Sequence, residues 1–168
     1  MVEKLCMTKE KNPMKNIHEI MSLLENDSFW ELCNTHSADP ELLRKFTDKY
    51  DLPEDYLDLL NITDGFKLFH AGDYTMNDMA WTLEVAEKYH DGWCENVLEI
   101  GYFMDNVLLI DLNKTHTDQY LFVGPSCVTD GFVCVGTVTD FLNGLIENHG
   151  DVPHWMACGT GPYDFGEK

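Results

Sequence analysis

The sequence predicts an α+β fold, with a largely antiparallel sheet flanked by N-terminal helices and one C-terminal helix. Three observations carry that reading. Helix start and stop signals punctuate residues 13–65, strand-like runs crowd residues 97–135, and one further amphipathic segment follows them. Helices first and clustered strands afterwards indicate segregated layers rather than alternating α/β units. The links between strand runs are long enough for hairpins and too short for crossover helices, so the pairing is antiparallel.

Taken in order, residues 1–12 are polar and read as a flexible arm. Ile17, Ile20, Met21 and Leu24 recur at helical spacing and predict a helix from about Pro13 to Glu25. Phe29, Trp30 and Leu32 follow as a short apolar turn. In SADPELLRKF, Asp39 is placed as an N-cap and Pro40 at the first helical position, with Leu42, Leu43, Phe46 and Tyr50 inward. A third helix is read in LPEDYLDLLNITDGF, Leu52 to Phe66. Pro53 takes the first helical position, Glu54 and Asp55 suit the positive end of the dipole, and Gly65 suits the left-handed residue past its end. FKLFH then reads as a strand. MNDMAWTLEVAEKYH reads as a helix with Met79, Leu83, Ala86 and His90 on one side. Three or four strands follow in VLEIGYF, NVLLIDLN, QYLFVG and GFVCVG, most of them separated by turn-forming residues. Thr137 or Thr139 caps a final helix with Phe141, Leu142, Leu145 and Ile146 inward, ended by Gly150. Residues 151–168 read as an irregular tail of what is read as a single domain.

The charge is the loudest feature: 11 Lys and Arg stand against 30 Asp and Glu, for a net −19. From Thr115 to Glu167 there are seven acids and no Lys or Arg, and between Asp73 and Asp111 nine acids face Lys88 alone. Such a field repels nucleic acid and anionic membrane and favours cationic partners, although acidic surfaces also serve solubility alone. The longest aliphatic run, VLLI, falls far short of the ~20 apolar residues that span a bilayer. The N-terminus has no apolar stretch of the secretory kind, and the six cysteines form no C-x-x-C pair. They read as reduced, mostly buried thiols in a cytoplasmic protein.

Chemistry-bearing motifs are sparse. His90 with Cys94, and His149 with His154, match no zinc signature, and neither a metal nor a cofactor is expected. Ser126 in GPSCV lacks the second glycine of a nucleophile elbow. In GTGPYDFG, Asp164 occupies the third glycine's place of a phosphate loop. Thirty acids make accidental carboxylate pairs such as Glu54/Asp58 and Glu84/Glu87 unavoidable.

Leu52, Pro53 and Tyr56 in a Leu-Pro-x-x-Tyr helix, a closing turn with Asn61 and Gly65, Ile100 and Gly101 before a strand, and Phe141, Leu142 and Leu145 in a last helix occur in that order. In these features residues 38–148 resemble the SUKH superfamily, which includes bacterial immunity proteins and the Smi/Knr regulators of cell-wall synthesis. The departures are Phe66 where paired glycines are usual, and YFMDN where further glycines are common. The resemblance implies a non-enzymatic immunity protein that binds and neutralises a cognate bacterial toxin, such as a basic nuclease or another nucleic-acid-acting enzyme. The alternatives are a regulatory or scaffold interaction module of the Smi/Knr type, and an enzyme that uses its carboxylates, alone or with a divalent cation.

Charge and resemblance together imply a cationic protein partner, with the chain itself a monomer or weak homodimer. The contact surface is expected in the most acidic interval: Asp73, Asp78, Glu84, Glu87, Asp91, Glu95, Asp105 and Asp118, with Trp81, Tyr89 and Trp93 as aromatic anchors. Of these, Trp81 is the one most expected to turn into the core instead.

Overall fold

The computed structural model describes residues 15–70, 73–88, 95–149 and 159–166. It is α+β: five helices, α1 (Ile17–Glu25), α2 (Pro40–Lys49), α3 (Glu54–Ile62), α4 (Met79–Lys88) and α5 (Val138–Asn148), accompany an eight-stranded sheet. The strands are β1 (Glu31–Cys33), β2 (Phe66–Phe69), β3 (Asp73–Met76), β4 (Val97–Phe103), β5 (Asn106–Asp111), β6 (Leu121–Pro125), β7 (Phe132–Gly136) and β8 (Thr160–Tyr163). They lie side by side in chain order, each antiparallel to the next.

The sheet is therefore wider than residues 97–135. Phe29 to Leu32 does not end in a turn: Glu31–Cys33 pairs with β2, and Leu32 lies opposite Leu68. Residues 73–76, which helical spacing from Met76 onward obscured, form β3. Within the tail, Thr160–Tyr163 pairs with β7, so that part is not irregular. The arm 1–12 and Gly150 lie outside the described residues.

Local chemistry explains the helix boundaries. Asn16 and Glu19 make a reciprocal capping box, so α1 starts four residues later than Pro13 suggests. Asp39 Oδ1 accepts from the Glu41 and Leu42 amides, with Pro40 at the first helical position. Pro53 does not occupy that position in α3; at φ −61° and ψ 144° it is the N-cap itself, and the helix begins at Glu54. Helix α5 is capped by Thr137 rather than Thr139, and it ends on His149 in the left-handed conformation. In α4 the buried positions are Met79, Thr82 and Val85, a seam rotated from the Met79, Leu83, Ala86 reading.

One face of the sheet carries the main core. Ile20, Leu24, Phe46, Tyr56, Leu59, Met79, Phe141 and Leu142 from the five helices pack on Leu68, Met76, Leu98, Ile100, Phe103, Leu108, Ile110 and Leu121. On the opposite face Val107, Leu109, Phe122, Phe132 and Cys134 are covered by Phe165, edge-on to Phe122 and Phe132. This second cluster explains why β5 and β6 are apolar on both sides rather than alternating. Of the described cysteines, all free, Cys134 is buried, Cys33 half-buried and Cys127 exposed, so burial is less general than composition implied.

The buried hydroxyls of Tyr56 and Tyr120 set an alkaline limit. Burial first, and for Tyr120 the charge of Asp55 next, push both phenols above their ordinary value of 10.0. The unfolded chain ionises both near that pH while the folded chain holds them neutral. Their contribution is thus fully present below pH 10 and lost above it, at up to ~1.4 kcal/mol per pH unit per tyrosine. Urea titrations at pH 9 and pH 11 should show this drop, reduced in Tyr120→Phe; equal stability at the two pH values would refute it.

Candidate functional site

A cavity of about 760 Å³ opens where α4 begins beside the ends of β2 and β3. It is built by two turns. The chain leaves α3 through Thr63-Asp64-Gly65, and Thr63 Oγ1 donates to the Gly65 carbonyl at 2.8 Å. Gly65, at φ +76°, then lets β2 start directly against the backbone of Met76 and Asp78. The Asp64 amide donates to the His36 carbonyl at 2.8 Å, tying the turn to the loop after β1.

Two carboxylates converge on the start of α4. The Met79 N–H donates to Asp64 Oδ1 and the Trp81 N–H to Asp78 Oδ1, each at 2.7 Å. Both acids therefore satisfy orphan amides at the positive end of the helix. Asp64 is only 4 % exposed, and His36 Nε2 lies 3.7 Å from its second oxygen. Burial pushes the Asp64 carboxyl above the ordinary range and the nearby Asp78 adds to this, against the Met79 amide and His36. Asn77 is 6 % exposed, lines the same cavity, and its amide nitrogen has no hydrogen-bond partner among the described residues. The Tyr56 hydroxyl and Thr82 Oγ1 are also buried without a partner in good geometry, although Thr82 is close enough to act on Tyr56. Trp81, 51 % exposed, and Tyr102, 39 % exposed, complete the walls with Lys67 and Thr75.

Asp64 carries a stability consequence. A carboxyl whose folded pKa is raised stabilises only while protonated, below its unfolded value of 3.8, and that contribution is lost as pH rises through the raised folded value. Asp64→Asn keeps an acceptor for Met79 and removes the buried charge. We expect it to be at least as stable as the parent at pH 7 by thermal denaturation; a marked loss of stability would refute the cost assigned to this charge.

The residues singled out from the sequence fall into separate places. Asp78 and Trp81 belong to the cavity, and Trp81 is exposed rather than turned into the core. Glu84 pairs with Lys88 at 3.0 Å along α4, and Glu87 pairs with Lys49 of α2 at 2.8 Å. Glu87 and Glu95 line a smaller cavity of about 370 Å³. Asp105 is exposed between β4 and β5, and Asp73 lies opposite Phe69 in the β2–β3 register. Asp118 lines a third cavity, with Asp55, Asp58 and His116. Tyr89, Asp91 and Trp93 lie outside the described residues. His36, Asp64, Asn77 and Tyr102 were missed. Asp64 was in plain view in ITDGF, but read there only as part of a helix stop. The signal that finds it is an acid directly before a left-handed glycine, followed at Asn77-Asp78 by a second capping acid.

Among the described residues no three His, Cys, Asp or Glu side chains are grouped to hold a metal, and no helix is long and apolar enough to cross a membrane. His90, Cys94 and His154 are not among the described residues. The chain matches no protein-family model and no curated protein.

Proposed function

We propose that the chain is a non-enzymatic binding protein that docks a cationic partner protein in the groove at the start of α4, in the toxin-neutralising role that the SUKH resemblance implies. The observation that carries the reading is the exposure of Trp81 beside Asp78, in a cavity also lined by Tyr102 and the buried Asp64. Large aromatic side chains left open to water serve as interface anchors, because they bury much area at low entropic cost. The surrounding charge of −19 steers a basic partner, and a basic nuclease must present such a surface to phosphate.

The test uses the polypeptide encoded beside this chain. The two are mixed as purified proteins, and binding and nucleic-acid cleavage by the neighbour are measured. Nanomolar binding with loss of cleavage supports the reading. Binding without any toxic activity in the neighbour would point to a regulatory module instead, and absence of binding would remove both.

Association is expected to slow steeply with salt, since exposed charges are screened beyond ~8 Å at physiological ionic strength. Glu84→Lys with Glu87→Lys reverses two charges at the outer face of α4. Their pairs with Lys88 and Lys49 are solvent-exposed and contribute little to stability. Stopped-flow mixing at low salt should show an on-rate about tenfold lower and an off-rate little changed. Rates independent of both salt and charge reversal would remove the electrostatic part.

A further inference from the structure

We propose that the groove is a receptor for a peptide-borne guanidinium: an arginine of the partner protein enters it, its plane on an aromatic wall and its N–H groups on Asp64 and Asp78. This deepens the binding role proposed for the same groove and rests on it.

Each carboxylate spends one oxygen on an α4 amide and keeps the other. For Asp64 the second oxygen has, among the described residues, only the His36 Nε2 ion-pair contact, at 3.7 Å, which is too long for a hydrogen bond. Among the described residues the Asp78 side chain takes part in no hydrogen bond or ion pair beyond the one from the Trp81 amide. The rings of Trp81 and Tyr102 likewise stack on no other ring and carry no cation among those residues. Two spare carboxylate oxygens beside open aromatic faces suit a planar, weakly hydrated cation with several donors. That is arginine rather than lysine, whose ammonium is a compact and strongly hydrated point charge. Asn77 adds an independent requirement. Its buried amide nitrogen lacks an acceptor, and a guanidinium supplies none. A ligand with a carbonyl beside its cation satisfies both, which is what an arginine within a polypeptide offers. Lys67 lines the same cavity and opposes a cation there.

The probe is N-acetyl-arginine amide, titrated into the full chain and followed by NMR at the Trp81 indole N–H, assigned through Trp81→Phe, and at the Asn77 side-chain amide. We expect saturable shifts at both, at least fivefold weaker binding of N-acetyl-lysine amide, and no binding of the neutral isostere N-acetyl-citrulline amide. Asp78→Asn retains a good N-cap and should weaken binding at least tenfold. Lys67→Gln should tighten it, and Glu54→Gln, an exposed acid of another cavity, should leave it unchanged. Equal binding of citrulline, or equal weakening by Glu54→Gln, would overturn the assignment. Arginine binding without binding of the neighbouring polypeptide keeps this site and removes the toxin reading. Polypeptide binding untouched by Asp78→Asn and Trp81→Ala removes this site and keeps the binding role.

Discussion

Asp55→Ala is expected to lower stability by about 3 kcal/mol, because one carboxylate holds helix α3 to the start of α5. The first three amides of α5 each find a different acceptor. Val138 N–H donates to the Tyr120 hydroxyl at 2.8 Å, Thr139 N–H to Asp55 Oδ2 at 2.8 Å, and Asp140 N–H to Thr137 Oγ1 at 3.0 Å. Asp55 also accepts from Thr139 Oγ1 at 2.8 Å and from the Tyr120 hydroxyl. Alanine orphans three donors at once, all of them on the well-buried Tyr120 and Thr139. At roughly 2–4 °C per kcal/mol for a chain of this size, Tm should fall by about 6–12 °C. Asp55→Asn retains one acceptor oxygen and should lose less. A change under about 1 kcal/mol for alanine, by urea denaturation, would show that water replaces the carboxylate.

Gly65→Ala should have an effect of similar size for a different reason. Gly65 sits at φ +76°, and an added Cβ would come 2.7 Å from the Asp78 nitrogen and 2.9 Å from the Met76 carbonyl oxygen. The left-handed backbone costs a non-glycine residue about 1 kcal/mol, and overpacking adds about 1–3 kcal/mol. Both contacts are with backbone, so relief must move the start of α4. Partner binding should therefore fall at least tenfold even where the variant remains folded. Gly144, inside α5 with nothing near its missing Cβ, is the control, and Gly144→Ala should stabilise by about 0.5–1 kcal/mol. If Gly65→Ala behaved like Gly144→Ala, the close approach at this turn would be wrong.

These two positions show what the sequence can and cannot carry. Gly65 was legible, since a glycine after helical periodicity announces a left-handed stop. Asp55 was legible only as an acid suited to its own helix dipole. Its partners Tyr120 and Thr139 lie 65 and 84 residues away, and no local pattern relates them. The β4 to β7 strands were readable because each is a run of apolar or β-branched residues between turn signals. Strands β1, β3 and β8 were not: each has only three or four residues, and pairing rather than composition makes them strands. The groove follows the same rule. Asp78 and Trp81 were singled out from acid and aromatic density, whereas His36 and Tyr102 join them only through the folded chain.

The order of the sheet bears on how the chain is made. Every strand pairs with the one synthesised just before it, from β1 through to β8. A ribosome releasing this chain therefore never produces a strand whose partner is still untranslated, apart from the newest edge. The β2–β3 pair and the β4–β7 run can close as short-loop hairpins at small entropic cost, whereas β1–β2, β3–β4 and β7–β8 each close around one or two helices. The exception is α5, the second-last element, which docks on α1 and α3 from the start of the chain. Until the ribosome has passed Asn148, the apolar faces of α1 and α3 stay partly open, which makes that late docking step the point where a nascent chain most needs a chaperone.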